Sequence, residues 1–152
     1  MIKDIQHVGS TSVFSIKAKP IIDIAVAVDD FDDILAFEKE LKDNGFYYRS
    51  HAQASIRNQI LLACGSAYDG TGNLQTHFIH VVLANSEDWL DYINFRDYLN
   101  CTPSAAKEYE DIKVALALDA PIDSGREKYL KGKYDFIDRT LKEAARFYGR
   151  GN

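Results

Sequence analysis

The segment from Ile21 to Val28 most constrains the fold, because it is an almost unbroken apolar run that contains one carboxylate. It reads IIDIAVAV and follows Lys19-Pro20. Such a short, continuous apolar run predicts a strand that is covered on both faces. An unpaired carboxylate in this setting carries a large desolvation penalty, so Asp23 needs a partner. The sequence therefore predicts that Asp23 has a role other than packing.

A small turn lies upstream of this strand, in the stretch His7-Val8-Gly9-Ser10-Thr11-Ser12-Val13. The N–H groups of a Gly-Ser turn can face a phosphate, and a strand-borne aspartate can hold a divalent metal ion. Gly9, Ser10 and Thr11 are therefore candidate phosphate ligands, and Asp23 is a candidate metal ligand. The alternative is a plain turn capped by a hydroxyl side chain. The stretch matches neither a Walker A loop nor a GxGxxG motif.

The periodicity of apolar residues predicts a β-rich first half and a helical second half. A cap at Asp29 or Asp30 would start the first helix and Gly45 would end it, while Ser86, Thr102-Pro103 and Ser124 would open the others. The predicted strands are 3–8, 21–28, 46–49, 58–64 and 76–83, with a hairpin loop at 65–73, and the predicted helices are 32–43, 86–99, 103–118 and 124–148. This order predicts an α/β (α+β) fold, with a short mixed sheet flanked by helices, in one domain spanning 1–152.

Composition excludes several classes of function. The net charge is −5 and the pI is near 5.3, which argues against generic binding to nucleic acid or to an anionic membrane. No apolar run has the length of a membrane span, and the first residues lack the apolar core of a signal peptide, so a cytoplasmic location is expected. Cys64 and Cys101 are far apart in sequence and lack metal-site spacing. They are predicted to be reduced, partly buried thiols.

Two histidines stand three positions apart on a predicted strand, in His77-Phe78-Ile79-His80. Successive side chains on a strand alternate between its faces, so His77 and His80 are predicted to point in opposite directions. One of them can line a pocket as an acid/base or phosphate donor while the other packs or faces water. A hydrogen-bonded structural histidine is the alternative reading.

The helical half supplies basic residues interleaved with tyrosines, and most of them are expected to lie on solvated helix faces. They include Arg96, Lys113, Lys128, Lys131 and Lys133. Arg96 is predicted either to form a local ion pair with Asp97 or to clamp a phosphate. Lys113 and Lys133 are candidates to neutralise the remaining phosphate charge.

In combination, these segments resemble the GrpB family over nearly the whole chain. The resemblance is carried by the following residues: His7 to Val13, Lys19 to Ile24, His77 to Val82, Trp89, Phe95 to Leu99, Glu108-Tyr109, Lys113, Leu116-Ala117, and Tyr129 to Ile137. It implies a nucleotidyltransferase-like fold whose Gly-Ser turn holds a nucleotide triphosphate and whose strand carboxylates hold magnesium.

The resemblance also implies roles for individual residues. Gly9 and Ser10 would form the phosphate turn, with Lys19 as a further phosphate ligand; Asp23 would be the catalytic carboxylate that holds Mg²⁺; and His80 would stand near the position of the superfamily's third acid. The implied ligand is a nucleotide or a phosphorylated small molecule.

Two departures from the family pattern shape the functional expectation. Ala25 occupies the position of the second carboxylate, and the helical segment that usually precedes the His-Val-Gly-Ser-Thr stretch is apparently missing. The expectation is therefore nucleotide binding, with nucleotidyl transfer as the catalytic version. A non-catalytic regulatory module and a structural or interaction domain are the alternatives. Apolar surface left by the missing segment makes a homodimer the expected assembly.

Overall fold

The computed structural model describes residues 1–49, 58–65, 75–118 and 125–149. These residues form a five-stranded mixed sheet and five α-helices, which confirms the predicted mixed α/β class. The strands are β1 (Ile2–Val8), β2 (Ile22–Val28), β3 (Phe46–Tyr48), β4 (Gln59–Gly65) and β5 (Gln75–Leu83). The helices are α1 (Asp32–Leu35), α2 (Glu38–Asp43), α3 (Glu87–Cys101), α4 (Pro103–Leu118) and α5 (Gly125–Phe147).

The strand order places β2 and β5 at the middle of the sheet. The order is β1-β2-β5-β4-β3; β2 and β5 run parallel, whereas the other neighbouring pairs are antiparallel. The segment between β2 and β5 carries α1, α2, β3 and β4, which gives the parallel pair the long crossover that it requires. Residues far apart in sequence thus become neighbours at the centre of the sheet.

One face of the sheet packs against the short helices α1 and α2. An apolar cluster on this side is formed by Val26, Val28, Ile34, Leu62 and Val81. The prediction of one continuous helix over 32–43 is wrong, because the backbone at Phe37 (φ −105°, ψ 16°) leaves the helical region and separates α1 from α2. The Asp30 carboxylate accepts a hydrogen bond from the Asp32 N–H (3.0 Å), whereas Phe31 holds the cap position.

A second apolar cluster joins the three long helices. It contains Val13, Phe95, Leu99, Ala106, Tyr109 and Phe136. The rings of Tyr109 and Phe136 stack at 5.2 Å, and Phe95 meets Tyr109 edge to face at 5.4 Å. The predicted helix starts at Ser86 and Pro103 are confirmed: the Ser86 hydroxyl accepts from the Trp89 N–H (3.2 Å), and Pro103 is the first residue of α4.

The segment after the Gly-Ser turn is tied to these helices by side-chain hydrogen bonds. The Asn100 side chain accepts from the Phe14 N–H (3.1 Å) and donates to the Ser12 carbonyl (3.0 Å). Further along, the Glu110 carboxylate accepts from the Lys17 N–H (2.7 Å). These bonds hold the turn at the end of β1 against α3 and α4, which brings the helical half to the candidate site.

Other expectations have mixed outcomes. Cys64 and Cys101 are both free thiols, but Cys101 is exposed rather than partly buried. Gly45 ends α2 with the predicted positive φ (85°). The predicted hairpin loop lies, beyond its first residue, outside the described residues, as does the cap at Ser124. Across the described parts of the chain, no helix combines the length and apolar character needed to cross a membrane.

Replacement of Leu99 by alanine tests the helical cluster. Leu99 is completely buried, so Leu99→Ala is expected to lower the free energy of unfolding by about 2–5 kcal/mol, through lost burial and the cavity left behind. Val114→Ala is the control, because Val114 lies on α4 and is 48% exposed. Urea unfolding measures both changes. Equal losses for the two variants would contradict this description of the core.

Candidate functional site

Asp23 finds its partner on the neighbouring parallel strand. The register places Ala25 beside His80, so Asp23, Ala25 and His80 share the face of the sheet that α3 covers. The Nε2 atom of His80 lies 3.1 Å from Oδ1 of Asp23. The side chains of Asp23 and His80 are 25% and 14% exposed, respectively. The contact with His80 thus offsets the desolvation penalty of the Asp23 carboxylate, which remains partly open to solvent.

His77 points to the other face of β5, as the alternation of the strand predicts. Its Nδ1 atom lies 2.9 Å from the Thr76 hydroxyl and 3.9 Å from the Cys64 sulfur. It therefore has a hydrogen-bonded position away from Asp23. This separation leaves His80 as the histidine that faces the candidate site.

A hydrogen-bond chain extends from His80 into α3 and β4. The Nδ1 atom of His80 lies 2.9 Å from the Tyr92 hydroxyl, which donates to Oε1 of Gln59 at 2.7 Å. Sequence reasoning missed Tyr92 and Gln59. A polar residue at the start of an apolar strand was the available signal for Gln59, but only the pairing of β4 with β5 shows which face it occupies.

Gly9 packs directly on the Asp23 side chain. Its φ is +70°, and a Cβ at this position would lie 2.5 Å from Oδ2 of Asp23 and 2.8 Å from its Cβ. Val8, the preceding residue, is the register partner of Asp23. Only glycine meets both requirements, since it accepts positive φ without strain and has no side chain to collide with the carboxylate. The structure thus brings the Gly-Ser turn and the strand aspartate together.

The hydroxyl groups of the turn have different surroundings. The turn closes through hydrogen bonds from the Ser12 N–H to the Gly9 carbonyl (3.2 Å) and from the Val13 N–H to the Ser10 carbonyl (3.4 Å). The Thr11 hydroxyl lies 2.8 Å from Nε2 of His7, so it already has a protein partner. The N–H groups of Ser10 and Thr11 precede the first of these bonds and are donors that the turn itself does not use.

Lys133, on α5, lies close enough to Asp23 for their charges to interact. Burial lowers the pKa of Lys133; the nearby Asp23 carboxylate opposes this change, and the Lys19 ammonium adds to it. Burial also lowers the pKa of Lys113, with a further contribution from Lys133 and an opposing one from Glu110. Lys19, Lys113 and Lys133 therefore form a connected group of positive charges, which we call the lysine cluster, and Lys133 is the member that interacts with Asp23.

Members of the lysine cluster differ in how they are held. The Lys113 ammonium donates to the Lys17 carbonyl (3.0 Å) and lies 4.7 Å from the centre of the Tyr109 ring. Lys133 is half-buried, yet within the described residues its ammonium has neither a hydrogen bond nor an ion pair at contact distance. A half-buried ammonium without a partner is unfavourable for folding alone. Lys133 therefore stays a candidate for binding an anion.

Arg96 ties α3 to β1. Its guanidinium donates to the Gln6 side chain (2.9 Å), the His7 carbonyl (3.1 Å) and the Asp97 carboxylate (2.7 Å). The predicted pairing with Asp97 is present. Arg96 also lines a cavity of about 360 Å³ together with His7, Ser12, Phe14, Asp97, Asn100 and Cys101. Its role as a phosphate clamp stays a prediction.

The donor set around Asp23 does not fit a pair of metal ions. Such a pair needs two or three carboxylates, whereas the register partners of Asp23 are Val8 and Phe78, and the next residue on its own face of β2 is Ala25. Among the described residues, no group of three or more His, Cys, Asp or Glu side chains is suited to a metal ion. A single Mg²⁺ fits better, because this ion commonly binds one protein carboxylate together with phosphate oxygens of the ligand.

These features define an α/β protein whose central strand presents an aspartate to a glycine turn and a group of lysines. Residues 1–143 match the family model described as "GrpB protein". The chain belongs to the GrpB family. It is 40% identical to the glutamate-rich protein GrpB of Alkalihalophilus pseudofirmus, over 93% of this chain and 79% of that protein.

Two further comparisons agree with the family assignment. The chain is 32% identical to the UPF0157 protein YqkA of Bacillus subtilis, over 97% of this chain but only 40% of that protein. The crystal structure of the conserved protein GrpB from Enterococcus faecalis matches with a TM-score of 0.80 and 31% identity, over 97% of this chain and 82% of that chain. The relation to nucleotidyltransferases remains an implication of the sequence resemblance.

A pair of glycine substitutions tests the packing of the turn on Asp23. Both glycines have a positive φ, so alanine is strained at either position. Gly9→Ala also clashes with Oδ2 of Asp23, whereas nothing lies within 4 Å of the Cβ added at Gly45. We expect Gly9→Ala to lose about 1–3 kcal/mol more unfolding free energy than Gly45→Ala. Chemical denaturation measures the difference, and equal losses would show that the turn does not press on Asp23.

Lys133→Met tests whether Lys133 is a binding residue held at the expense of folding. Below the lowered pKa of Lys133, the folded state carries the full penalty of a half-buried charge. We therefore expect Lys133→Met to be at least as stable as the wild type at pH 7. As the pH rises from that lowered pKa toward the ordinary lysine pKa, the unfolding free energy of the wild type should increase relative to that of the variant. Thermal unfolding across this range measures the trend, and a clear loss of stability at pH 7 would contradict it.

Proposed function

We propose that this protein binds a phosphate group of a nucleotide or a phosphorylated small molecule between the Gly9 turn, Asp23 and the lysine cluster. The observation that carries the proposal is the Lys133 ammonium, which is half-buried, has no partner within the described residues and lies close enough to Asp23 for their charges to interact. A phosphate would supply the missing charge and hydrogen-bond acceptors together. The ligand would thus remove an electrostatic penalty that the free protein carries.

The charge balance of the site supports an anionic ligand. The ammonium groups of Lys19, Lys113 and Lys133 outnumber the two carboxylates, Asp23 and Glu110, among the groups that influence one another electrostatically. The chain as a whole has a net charge of −5, so this positive site is a local exception. A local concentration of positive charge favours a compact anion over an extended polyanion.

The turn would contribute neutral donors to the same phosphate. The N–H groups of Ser10 and Thr11 are not used by the hydrogen bonds that close the turn, and the Gly9 backbone lies against Asp23. Adjacent main-chain N–H groups of this kind suit phosphate oxygens. The turn would orient the ligand while the lysine ammonium groups supply most of the attraction.

Mg²⁺ is the cofactor that the resemblance implies, and Asp23 is the residue that would hold it. When bound, it would neutralise part of the phosphate charge. The lysine cluster supplies positive charge in the same place, so phosphate binding in our proposal does not depend on the metal. The binding experiment below is therefore run with and without Mg²⁺.

Nucleotidyl transfer is the catalytic version of this proposal. The reaction would be an in-line attack on an α-phosphate, for which carboxylates usually hold two metal ions. Here the register neighbour of Ala25 is His80, and the described residues contain no group of three or more His, Cys, Asp or Glu side chains suited to a metal ion. The geometry therefore supports binding better than transfer, and we propose binding as the function of this site.

A ligand panel on matched lysine variants tests the proposal. Phosphate, nucleoside monophosphates and triphosphates, and sugar phosphates are added to the wild type with and without Mg²⁺. A true ligand at 100 times its dissociation constant should raise the unfolding free energy by about 2.7 kcal/mol. Lys133→Met should raise the dissociation constant of that ligand by about tenfold or more, because a charge-assisted hydrogen bond is lost.

The control for this panel is Lys131→Met, which removes an exposed lysine from the same helix. It should bind like the wild type, so a difference between the two variants isolates the buried ammonium. Asp23→Asn shows whether any Mg²⁺ dependence arises at Asp23. Absence of stabilisation by every compound, or equal binding by Lys133→Met and Lys131→Met, would refute the proposal.

A further inference from the structure

The two oxygen atoms of the Asp23 carboxylate have different environments. Oδ1 lies 3.1 Å from Nε2 of His80. Oδ2 is the atom closest to the Cβ position of Gly9, so it lies on the side of the phosphate turn. Within the described residues, Oδ2 has no hydrogen-bond donor, although the side chain is partly exposed. One oxygen is therefore fixed by the protein and the other is open toward the ligand.

The hydrogen-bond chain behind Asp23 prevents His80 from contacting a ligand through its ring nitrogens. An ionised carboxylate only accepts hydrogen bonds, so Nε2 must carry the hydrogen that it shares with Asp23. Nδ1 is occupied by the Tyr92 hydroxyl, which is itself held by Gln59. His80 therefore acts on the site through Asp23, whose orientation it fixes.

The open Oδ2 atom next to a phosphate site needs a donor. Two anionic oxygens in contact repel one another unless a hydrogen or a cation lies between them. Lys133 lowers this repulsion electrostatically, but its ammonium makes no hydrogen bond to Asp23. A hydroxyl group on the ligand would satisfy Oδ2, because it donates to the carboxylate while its phosphate stays with the lysine cluster.

We propose that Oδ2 of Asp23 accepts a hydrogen bond from a hydroxyl of the ligand, so that the site selects phosphate esters that carry a hydroxyl near the phosphate. His80, Tyr92 and Gln59 are positioning residues that hold the carboxylate in the accepting orientation. This inference rests on the proposed function and names its ligand class: phosphorylated polyols, sugars or nucleotides, in preference to phosphate esters without a free hydroxyl.

Matched ligands that differ only in hydroxyl groups test the selection. The probes are glycerol 3-phosphate against propyl phosphate, and AMP against 2′,3′-dideoxy-AMP, with dissociation constants measured by calorimetry in EDTA. The wild type should bind the hydroxylated member of at least one pair about tenfold or more tightly, as expected for a hydrogen bond to a charged group. Asp23→Asn should reduce this preference to about threefold or less. Asp138→Asn is the control, since Asp138 is an exposed carboxylate on α5, and it should keep the wild-type preference.

The positioning role of Tyr92 is tested by a separate measurement. Tyr92→Phe should reduce the hydroxyl preference by about threefold or more while leaving the affinity for inorganic phosphate within about twofold. A residue that supports the fold alone would change the melting temperature without changing the preference. If Tyr92→Phe does not fold, Gln59→Leu interrupts the same chain one step further from Asp23 and should have the same effect.

The outcomes separate this inference from the proposed function. Equal binding of both members of both pairs by the wild type, or an unchanged preference in Asp23→Asn, would overturn the hydroxyl contact while Lys133-dependent phosphate binding stands. Binding that requires Mg²⁺ and ignores ligand hydroxyls would also overturn it, since the metal would then occupy Oδ2. Failure of every probe to bind, with or without Mg²⁺, would overturn both proposals.

Discussion

The close approach of Gly9 to the Asp23 side chain is the contact on which the site depends. A Cβ at Gly9 would lie 2.5 Å from Oδ2, so the turn can sit over the carboxylate only because residue 9 is glycine. His80 holds the opposite oxygen at 3.1 Å. The carboxylate is therefore confined between a turn with unused N–H groups and a histidine on the neighbouring strand. Its orientation follows from the fold before any ligand binds.

The helical half completes this site at some expense to stability. Asn100 and Glu110 accept hydrogen bonds from the N–H groups of Phe14 and Lys17, which fixes the segment after the turn, and the Lys113 ammonium donates to the carbonyl of Lys17. The same packing encloses Lys133 near Asp23 without giving it a partner among the residues that the structure describes. Local features that lower stability are typical of binding sites, because the ligand supplies the missing interaction. The proposed phosphate would neutralise this otherwise unfavourable charge.

Local features of the sequence predicted much of the fold but only part of the site. Some features depend only on residues that are close in sequence, so local patterns were sufficient to predict them. They are the cap at Ser86, the helix start at Pro103 and the opposite faces of His77 and His80. The break at Phe37 was missed because the helical pattern continues through it. Tyr92 was missed for a different reason. Its contact with His80 depends on strand register and helix orientation, which a single sequence does not contain.

Phosphate titration of protein labelled with ¹⁵N-glycine tests the central claim most directly. The chain has nine glycines, and Gly9 lies in the proposed phosphate turn whereas Gly45 ends a distant helix. The Gly9 amide signal should shift with saturable dependence on inorganic phosphate while Gly45 stays in place, and Lys133→Met should weaken the response by about tenfold or more. A Gly9 signal that does not move, or that moves equally in Lys133→Met, would contradict a phosphate site built from the turn and the lysine cluster.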